Sequence, residues 1–222
     1  MNILGVTAFV HDSCASLIQG GDIVASVEEE RFSRVKHTDK FPDQAIAYVL
    51  DQGGINIEDV DIIAFNWDPY LSLRSELLKL LLFPIYYKIM KYNKPPKNFR
   101  TIFSTFLLRR YISKTVGAGF KGKFVWVPHH LSHAASSFYL SPYDKADVLI
   151  MDGHGEDNSV SYFKAEESSI SLEWKMPIRH SLGVLYSNIT NFLGFGPWQE
   201  GKTMALASFG TYRFKELFSK VI

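Results

Sequence analysis

The order of apolar segments most constrains the fold of this chain, because one succession of strands and a helix occurs twice. In its first occurrence, apolar and alternating stretches predict β-strands at residues 2–10, 14–19 and 22–28. A helical pattern follows at 43–52, and a further strand is predicted at 61–67. The order is therefore strand, strand, strand, helix, strand.

Glycine and proline residues mark the boundaries within this first unit. Gly20 and Gly21 separate the second and third strands by two residues, which predicts a tight type I′ hairpin. Pro42 is typical of the start of a helix, and Gly53 and Gly54 are typical of the residues just beyond its end. These residues set the expected limits of the hairpin and the helix.

The same order begins again after residue 145. Strands are predicted at 146–152, 158–166 and 169–175, and apolar residues at helical spacing predict a helix at 181–195. The amino acids themselves are not visibly repeated, so the duplication depends on the order of elements alone.

A duplicated βββαβ unit is the plan of the actin-like ATPase fold, an α/β fold of ribonuclease H-like type with two lobes beside a nucleotide cleft. We expect residues 1–70 and 119–145 to form the first lobe. Residues 71–118 are predicted to be a basic helical insert, and residues 146–222 to begin a second lobe that is incomplete.

Composition argues against several classes of function. A net charge of +1 over 222 residues gives no overall field toward nucleic acid or anionic lipid. The segment 71–90 is apolar, but charges and Pro84 interrupt it, so we expect a buried or lid-forming helix pair and no membrane span. The single Cys14, and Met1 without a basic leader, predict a cytoplasmic protein without an internal disulfide.

Three histidines lie close together at the start of a small, apolar, helix-like run. If residues 129–140 are helical, His129 and His133 stack on one face about 5–6 Å apart at Cβ, which suits a two-imidazole metal clamp. His130 points elsewhere and is interpreted as structural. The alternative is that His129 caps the helix and His133 packs in a satisfied polar pocket.

Asp152 is the third candidate ligand. It follows an apolar strand 19 residues after His133, at the strand end from which α/β sheets present ligands. Two histidines and one carboxylate leave coordination positions open, which suits iron(II) or another divalent ion better than structural zinc. The alternative is that Asp152 only begins an Asp-Gly turn.

Two turns at strand ends are candidates for phosphate binding. Residues 9–15 and 152–159 both hold small or acidic residues where backbone amides can approach an anion. His11 and Asp12 lie in the first turn, where a catalytic or phosphate-contacting imidazole would be placed. Each turn alone is also consistent with an ordinary loop.

Two charged stretches could supply further polar groups. In residues 27–37, Lys36 and its neighbouring arginines could offer cations to a phosphate or carbamoyl-type anion, although a solvated edge is the usual interpretation. In residues 197–210, Glu200 and Lys202 follow a glycine-rich turn. Glu200 could be a ribose or metal-water partner, or only an acidic residue in a first helical turn.

Several motifs together resemble one family. HDSCASL, EEERFSRVKH, HHLSHAASSFYLS, DGHGE, SLGVLYSNITNFLGF and EGKTMALASFG occur in the order found in the O-carbamoyltransferases of nodulation-factor and antibiotic biosynthesis. The resemblance runs from residue 1 to about residue 210, and 71–118 is its least typical part. These enzymes join an actin-like domain, related to the tRNA threonylcarbamoyl transferases, to a C-terminal YrdC-like domain.

The resemblance implies a reaction and roles for the motif residues. The YrdC-like domain makes carbamoyl-adenylate from carbamoyl phosphate and ATP, and the actin-like domain passes the carbamoyl group to a substrate hydroxyl over a metal, usually iron. His129, His133 and Asp152 then correspond to metal ligands, and His11 and Lys36 to residues that contact the carbamoyl group or activate the acceptor. The phosphate loop would include Gly153, Gly155 and Glu156.

The resemblance also predicts what must be supplied from elsewhere. Family proteins continue beyond the position of Ile222 with a further aspartate ligand, the rest of the second lobe and the YrdC-like domain. We therefore expect the N-terminal part of a carbamoyltransferase, as a fragment, a truncated product or one subunit of a split enzyme, and we also consider a homodimer. The alternatives are a non-catalytic nucleotide- or partner-binding module and an actin-fold ATPase or kinase.

Overall fold

The computed structural model describes residues 1–74, 107–115 and 119–220. Most of the predicted insert at 71–118 lies outside these residues, and so does most of the apolar segment at 71–90. Among the residues described, no helix combines the length and the apolar character needed to cross a membrane.

The first sheet begins with an antiparallel meander of β1 (Asn2–Thr7), β2 (Cys14–Gln19) and β3 (Asp22–Glu28). Gly20 and Gly21 join β2 to β3 with φ angles of 64° and 112°. A type I′ turn needs positive φ at both positions, so the predicted hairpin is confirmed.

The first strand is shorter than predicted. We expected it to reach residue 10, but β1 ends at Thr7. The chain then bends, and Phe9 takes a left-handed φ of 72°, which no extended strand accommodates. Its backbone N–H donates to the carbonyl of Asp39, so this segment is held by a loop instead of a neighbouring strand.

Two helices follow the meander. The short α1 (Glu30–Ser33) continues from β3, and α2 (Asp43–Gln52) begins after Pro42 and ends before Gly53, as predicted. The inner face of α2 packs against the sheet because its apolar residues recur at helical spacing. Ala45, Ile46 and Val49 are fully buried there.

A buried carboxylate caps the start of α2. Pro42 offers no side-chain cap, and Glu29 instead accepts hydrogen bonds from the N–H of Ala45 (2.8 Å) and the amide of Gln44 (3.0 Å). The first N–H groups of a helix have no partner within the helix, so this contact satisfies one of them. Burial raises the pKa of Glu29, against the opposing effect of these hydrogen bonds.

Parallel strands complete the first sheet. β4 (Ile62–Phe65) pairs with β1, and after α3 (Leu108–Thr115) the strand β5 (Lys123–Trp126) pairs with β4. The sheet order is β3-β2-β1-β4-β5, which is the predicted meander, helix and parallel strand of an actin-like lobe. Its core is one large apolar cluster that includes Leu4, Leu17, Ile46, Ile63 and Phe65.

The second sheet is a three-stranded antiparallel meander. Its strands are β6 (Lys145–Met151), β7 (Asn158–Glu166) and β8 (Ser169–Pro177), in the order β6-β7-β8. The helix that precedes it, α4 (His129–Phe138), packs on one face of this sheet. The two elements share a small apolar cluster of Ala134, Phe138, Val148, Ile150, Phe163 and Ala165.

Three helices end the described chain: α5 (Leu182–Phe192), α6 (Glu200–Ala207) and α7 (Lys215–Phe218). A meander followed by a helix therefore occurs twice, as predicted, and the fold is α/β with an actin-like plan. Within the residues described, no strand follows α5, so this second unit has the order βββα.

Candidate metal centre

Helix α4 places two histidines on one face. It begins directly at His129, after Pro128, and runs to Phe138. His129 and His133 are one turn apart, and their Nε2 atoms lie 3.1 Å from each other. The two rings are nearly perpendicular, at 81°.

Asp152 meets the two histidines at the end of β6. Its Oδ2 lies 3.1 Å from Nε2 of His129 and 3.8 Å from Nε2 of His133. All three candidate ligand atoms lie within 4.8 Å of one another. The structure thus brings together the three residues that the sequence proposed as metal ligands.

The ring of His129 is oriented by the first sheet. Its Nδ1–H donates to the backbone carbonyl of Asn66, just beyond β4, at 3.3 Å, and the ring of Trp67 packs against it at 5.1 Å. A neutral imidazole that donates from Nδ1 has a lone pair on Nε2. That lone pair faces the carboxylate of Asp152 and the ring nitrogen of His133, so three electron-rich atoms converge. A cation between them resolves the repulsion, and this donor set fits a metal ion.

The charge states also suit metal binding. Without a metal, a proton on Nε2 of His129 can take the place of the cation. Burial raises the pKa of Asp152, but the hydrogen bond and charge of His129 in this protonated form, the N–H of Gly153 and the charge of His133 together lower it to about 2. Burial, together with the charge of His129, lowers the pKa of His133. Both groups therefore favour the deprotonated form in which carboxylates and imidazoles bind metals.

Glu156 joins the start of α4 to the end of β4. This buried carboxylate accepts hydrogen bonds from the backbone N–H of Asp68 at 2.8 Å and of His129 at 3.0 Å. Burial raises its pKa. The sequence assigned Glu156 to a phosphate loop, and in the structure its oxygens are occupied by backbone donors at the base of the metal centre.

His130 is a core residue beneath the centre. Its Nδ1 lies 2.8 Å from the hydroxyl of Ser161 and 2.7 Å from the amide of Asn158, and burial lowers its pKa to about 4. Gly155 packs on its ring, where an added Cβ would come within 3.0 Å. This position agrees with the structural interpretation of His130.

Helix α5 is pressed against the turn that follows Asp152. The hydroxyl of Ser181 donates to the carbonyl of Gly153 at 2.6 Å and accepts from the N–H of Val184 at 3.0 Å. A Cβ on Gly183 would lie 2.8 Å from the Cα of Gly153 and 3.1 Å from the carbonyl of Asp152. Only glycine permits this approach, which holds the ligand-bearing turn in place.

A second polar cluster forms around the first turn. Asp12 bridges two imidazoles, because its Oδ2 lies 2.7 Å from Nδ1 of His11 and its Oδ1 lies 2.9 Å from Nδ1 of His37. The ring of Trp198 packs on both rings, with centroid distances of 4.4 Å to His11 and 6.3 Å to His37. Burial is the main cause that lowers the pKa of His133, and the charge of His11 is a minor one.

For three predicted site residues, none of the contacts described for the chain is with a residue of either cluster. Lys36 is exposed beside His37, and Lys202 is exposed on α6. Glu200, at the start of α6, accepts a hydrogen bond from the hydroxyl of Ser187 at 2.6 Å, which ties α6 to α5. Their proposed roles stay predictions.

A cavity of about 290 Å³ opens beside the candidate ligands. His133, Ser136 and Ser137 of α4 line one side, and residues 149–152 line the other. The small serines leave this space, as expected from the slim face of the helix. A cavity of this size is at the lower end of the range for small-molecule sites.

Three residues of these clusters escaped the sequence analysis. His37 adjoins Lys36 in a charged run, and no spacing relates it to Asp12. Trp198 lies far along the chain from His11, and a lone exposed aromatic residue carries no pattern. Asn66 acts through its backbone carbonyl, so its side-chain identity gave no signal.

Comparison with known proteins identifies the family. The family model for the carbamoyltransferase N-terminus matches residues 2–221. The chain belongs to this carbamoyltransferase family. The family predicted from the ordered motifs is thereby confirmed.

Two curated relatives match most of this chain. Nodulation protein NolNO of Sinorhizobium fredii is 31% identical over 91% of this chain and 28% of its own length. An uncharacterised Synechocystis protein, sll1178, is 36% identical over 97% of this chain and 36% of its own length. The chain thus spans about a third of the length of these relatives.

Solved structures show a looser similarity. YeaZ from Pseudomonas aeruginosa superposes with a TM-score of 0.43 and 11% identity, over 81% of this chain and 68% of YeaZ. A second Pseudomonas aeruginosa structure, described as similar to peptidase YEAZ, gives a TM-score of 0.44 and 12% identity over 79% of this chain and 66% of that one.

Proposed function

We propose that this chain carries the metal-binding and transfer site of a carbamoyltransferase that moves a carbamoyl group from carbamoyl-adenylate to a substrate hydroxyl. Membership of the family gives the class of enzyme. The donor, the metal, the acceptor and the roles of the residues are the content of the proposal.

The convergence of Nε2 of His129, Nε2 of His133 and Oδ2 of Asp152 is the observation that carries this proposal. Two imidazoles and a carboxylate form a donor set for iron(II) or a similar divalent ion, with positions left open for a substrate oxygen. A metal held there would polarise the carbamoyl carbonyl. The chain's own part is to orient His129 through the carbonyl of Asn66 and to keep Asp152 ionised through the N–H of Gly153 and the two histidines.

His11 is the proposed general base. It takes the proton of the acceptor hydroxyl while that oxygen bonds to the carbamoyl carbon. The bond from this carbon to the phosphate oxygen breaks, and AMP leaves with its electron pair. The products are the carbamate ester, AMP and a protonated His11. Its place in the turn after β1, with Nδ1 hydrogen-bonded to Asp12 at 2.7 Å, supports this role.

The donor would be made outside the described residues. A YrdC-like domain or subunit would form carbamoyl-adenylate from carbamoyl phosphate and ATP. The relatives extend well beyond the part that this chain matches, which leaves room for such a domain. The strand-end turns with Asp12, Gly153 and Gly155 would then face the adenylate, in a cytoplasmic enzyme with a small-molecule alcohol as acceptor.

Metal content tests the proposed ligands without any need for turnover. His129→Ala should lose the stoichiometric iron that the unsubstituted chain takes up during anaerobic loading, as measured by elemental analysis. His180→Ala is the matched control, because His180 is exposed and lies outside both histidine clusters. Equal iron in both variants would overturn the ligand assignment.

A transfer assay tests the reaction. The chain is mixed with a YrdC-like domain, carbamoyl phosphate, ATP and a panel of sugars, aminoglycosides and polyketide alcohols, and carbamoylated products are sought by mass spectrometry. We expect a product that requires carbamoyl phosphate and is lost in His129→Ala. ATP turnover that ignores carbamoyl phosphate would instead support an actin-fold ATPase.

A further inference from the structure

We propose that Asp12 and His37 are positioning residues that hold His11 in the tautomer required of a general base. This inference rests on the proposed function and deepens it, because it gives Asp12 a role other than contact with phosphate. It also adds His37 to the site.

The hydrogen bonds of Asp12 determine which nitrogens carry protons. An ionised carboxylate only accepts, so an imidazole nitrogen bonded to it must donate. Oδ2 of Asp12 faces Nδ1 of His11 at 2.7 Å, and Oδ1 faces Nδ1 of His37 at 2.9 Å. Both rings, when neutral, therefore carry the proton on Nδ1 and a free lone pair on Nε2.

The charge of Asp12 is maintained by the same contacts. Burial raises the pKa of this carboxyl, but the hydrogen bonds and charges of His11 and His37 outweigh burial and lower it overall. Asp12 therefore stays ionised. His37 occupies the second oxygen, so the carboxylate cannot rotate away from His11 without breaking a bond.

The backbone shows that this cluster is held in an unusual conformation. Asp12 and His37 have φ angles of 51° and 54°, and Trp198 has a φ of 61°. Left-handed backbone is uncommon for residues other than glycine. Three such residues, distant in sequence, meet at one place, which is typical of a functional site.

The surroundings of His11 come from both units. Asp12 and His37 belong to the first unit, and the exposed ring of Trp198 packs on His11 from the segment before α6. Burial lowers the pKa of His133 on α4 and of His154 after β6, and the charge of His11 is a minor cause of both shifts.

In the transfer step, the proton of the acceptor hydroxyl passes to Nε2 of His11. The hydroxyl oxygen bonds to the carbamoyl carbon, and AMP leaves with the electrons of the broken carbon–oxygen bond. The imidazolium that results stays bonded through Nδ1–H to the ionised Asp12, which stabilises its charge. His37 takes no proton and serves only to hold Asp12.

Asparagine and glycine variants test these roles with little backbone cost, because both residues tolerate positive φ. In Asp12→Asn, the amide can accept from only one of the two rings. We expect the kcat for transfer to fall about 100-fold, which is within the range for general-base catalysis. The KM for the acceptor and the iron content should stay unchanged.

Two substitutions at position 37 separate the hydrogen bond from the bulk of the ring. His37→Gly removes the donor, and we expect a roughly tenfold lower kcat, as for other supporting partners of an active residue. His37→Asn keeps an N–H donor and should retain most of the activity. Equal losses in both variants would overturn the positioning role of His37.

The pH dependence gives a readout that a purely structural role would not change. Asp12→Asn removes the negative charge that stabilises the protonated imidazole of His11, so the acidic limb of the kcat profile should move to lower pH. An unchanged profile, a wild-type rate, or a fall in rate accompanied by loss of iron would each overturn the proposal.

Nitrogen NMR tests the tautomers without substrate. In the chain labelled with ¹⁵N-histidine, His11 and His37 should both show Nδ1–H with an unprotonated Nε2 at alkaline pH, where imidazoles are neutral. An Nε2–H tautomer at His11 would overturn this inference whatever the activity. If the Nδ1–H pattern is present but no carbamoyl group is transferred, the arrangement of the cluster is supported and the proposed function fails.

Discussion

The two sheets of this chain differ in how fully their apolar residues are covered. In the first sheet, Leu4, Ile63 and Phe65 are completely buried in one large cluster. The second sheet shares a much smaller cluster with α4, and Leu149 and Met151 of β6 are 58% and 63% exposed. The first sheet therefore supplies most of the apolar burial that stabilises the described chain.

The sheet edges show the same contrast. β1 has a strand on both sides, antiparallel β2 and parallel β4. β6 holds the equivalent place in the second meander, and in the part of the chain that the structure covers it pairs only with β7. The candidate metal ligands lie on α4 and at the end of β6, beside the less covered sheet, whereas the carbonyl that orients His129 lies just beyond β4 of the more covered one. The well-packed first sheet thus orients a ligand of a site that lies beside the less packed second sheet.

The largest effect should come from removing one aromatic ring from each core. Phe65→Ala should lower the free energy of unfolding by about 3–5 kcal/mol, because the packed first sheet cannot close around the cavity. The loss in the free energy of unfolding should be at least about 1 kcal/mol smaller for Phe163→Ala, because the smaller second core relaxes more easily around the cavity. Urea unfolding followed by tryptophan fluorescence measures both. Equal costs would contradict the difference in packing between the two sheets.

A smaller effect should arise where α5 meets the turn after Asp152. In Gly183→Ala, the new Cβ would press on the backbone of Gly153 at 2.8 Å and displace the ligand-bearing turn. We expect iron affinity to fall about 10–100-fold, as for other disturbances behind a metal ligand. The matched control is Gly201→Ala in α6, where nothing lies within 4 Å and affinity should not change. Similar affinities in both variants would show that the second unit adapts without effect on its ligands.

The smallest effect concerns Glu29, the buried cap of α2 within the first unit. Its pKa is raised in the folded chain, so its contribution to stability is present below the unfolded pKa and is lost as pH rises through the folded pKa. The side chain introduced by Glu29→Gln does not titrate. The free energy of unfolding of this variant should therefore increase relative to that of the unsubstituted chain as pH rises from the unfolded pKa of Glu29 to its folded pKa. Thermal unfolding at a series of pH values measures this. A difference that is constant with pH would contradict the raised pKa.

Much of the fold could be predicted because its signals are local. The alternation of apolar residues, the pair Gly20-Gly21 and the boundary at Pro42 depend on neighbouring residues, and the structure has the elements they indicate. The early end of β1 at Thr7 was missed because the left-handed Phe9 depends on its contact with Asp39. The packing of α4 on the second sheet was also missed. An apolar helix face shows that a helix is buried, but it does not show which sheet covers it.

In the candidate site, too, the residues with local signals could be predicted, and those that depend on tertiary contacts could not. The spacing of His129 and His133 places them on one helix face, and the strand end at Asp152 offered a plausible third member. The pairing of His37 with Asp12 depends on two left-handed residues 25 positions apart, for which a single sequence gives no pattern. The burial of Glu156 beneath α4 likewise depends on tertiary contacts of its carboxylate with distant backbone groups.

The hydrogen bond from His129 to the carbonyl of Asn66 makes a ligand on α4, which packs on the second sheet, dependent on the position of the first sheet. A cation that prefers the oriented ring therefore also prefers the two units held together. By thermodynamic linkage, the melting temperature should rise with metal concentration, and the two units should unfold in one cooperative transition when the metal is bound. Metal binding would therefore depend on the distance between two parts of the chain whose apolar residues are buried to very different extents.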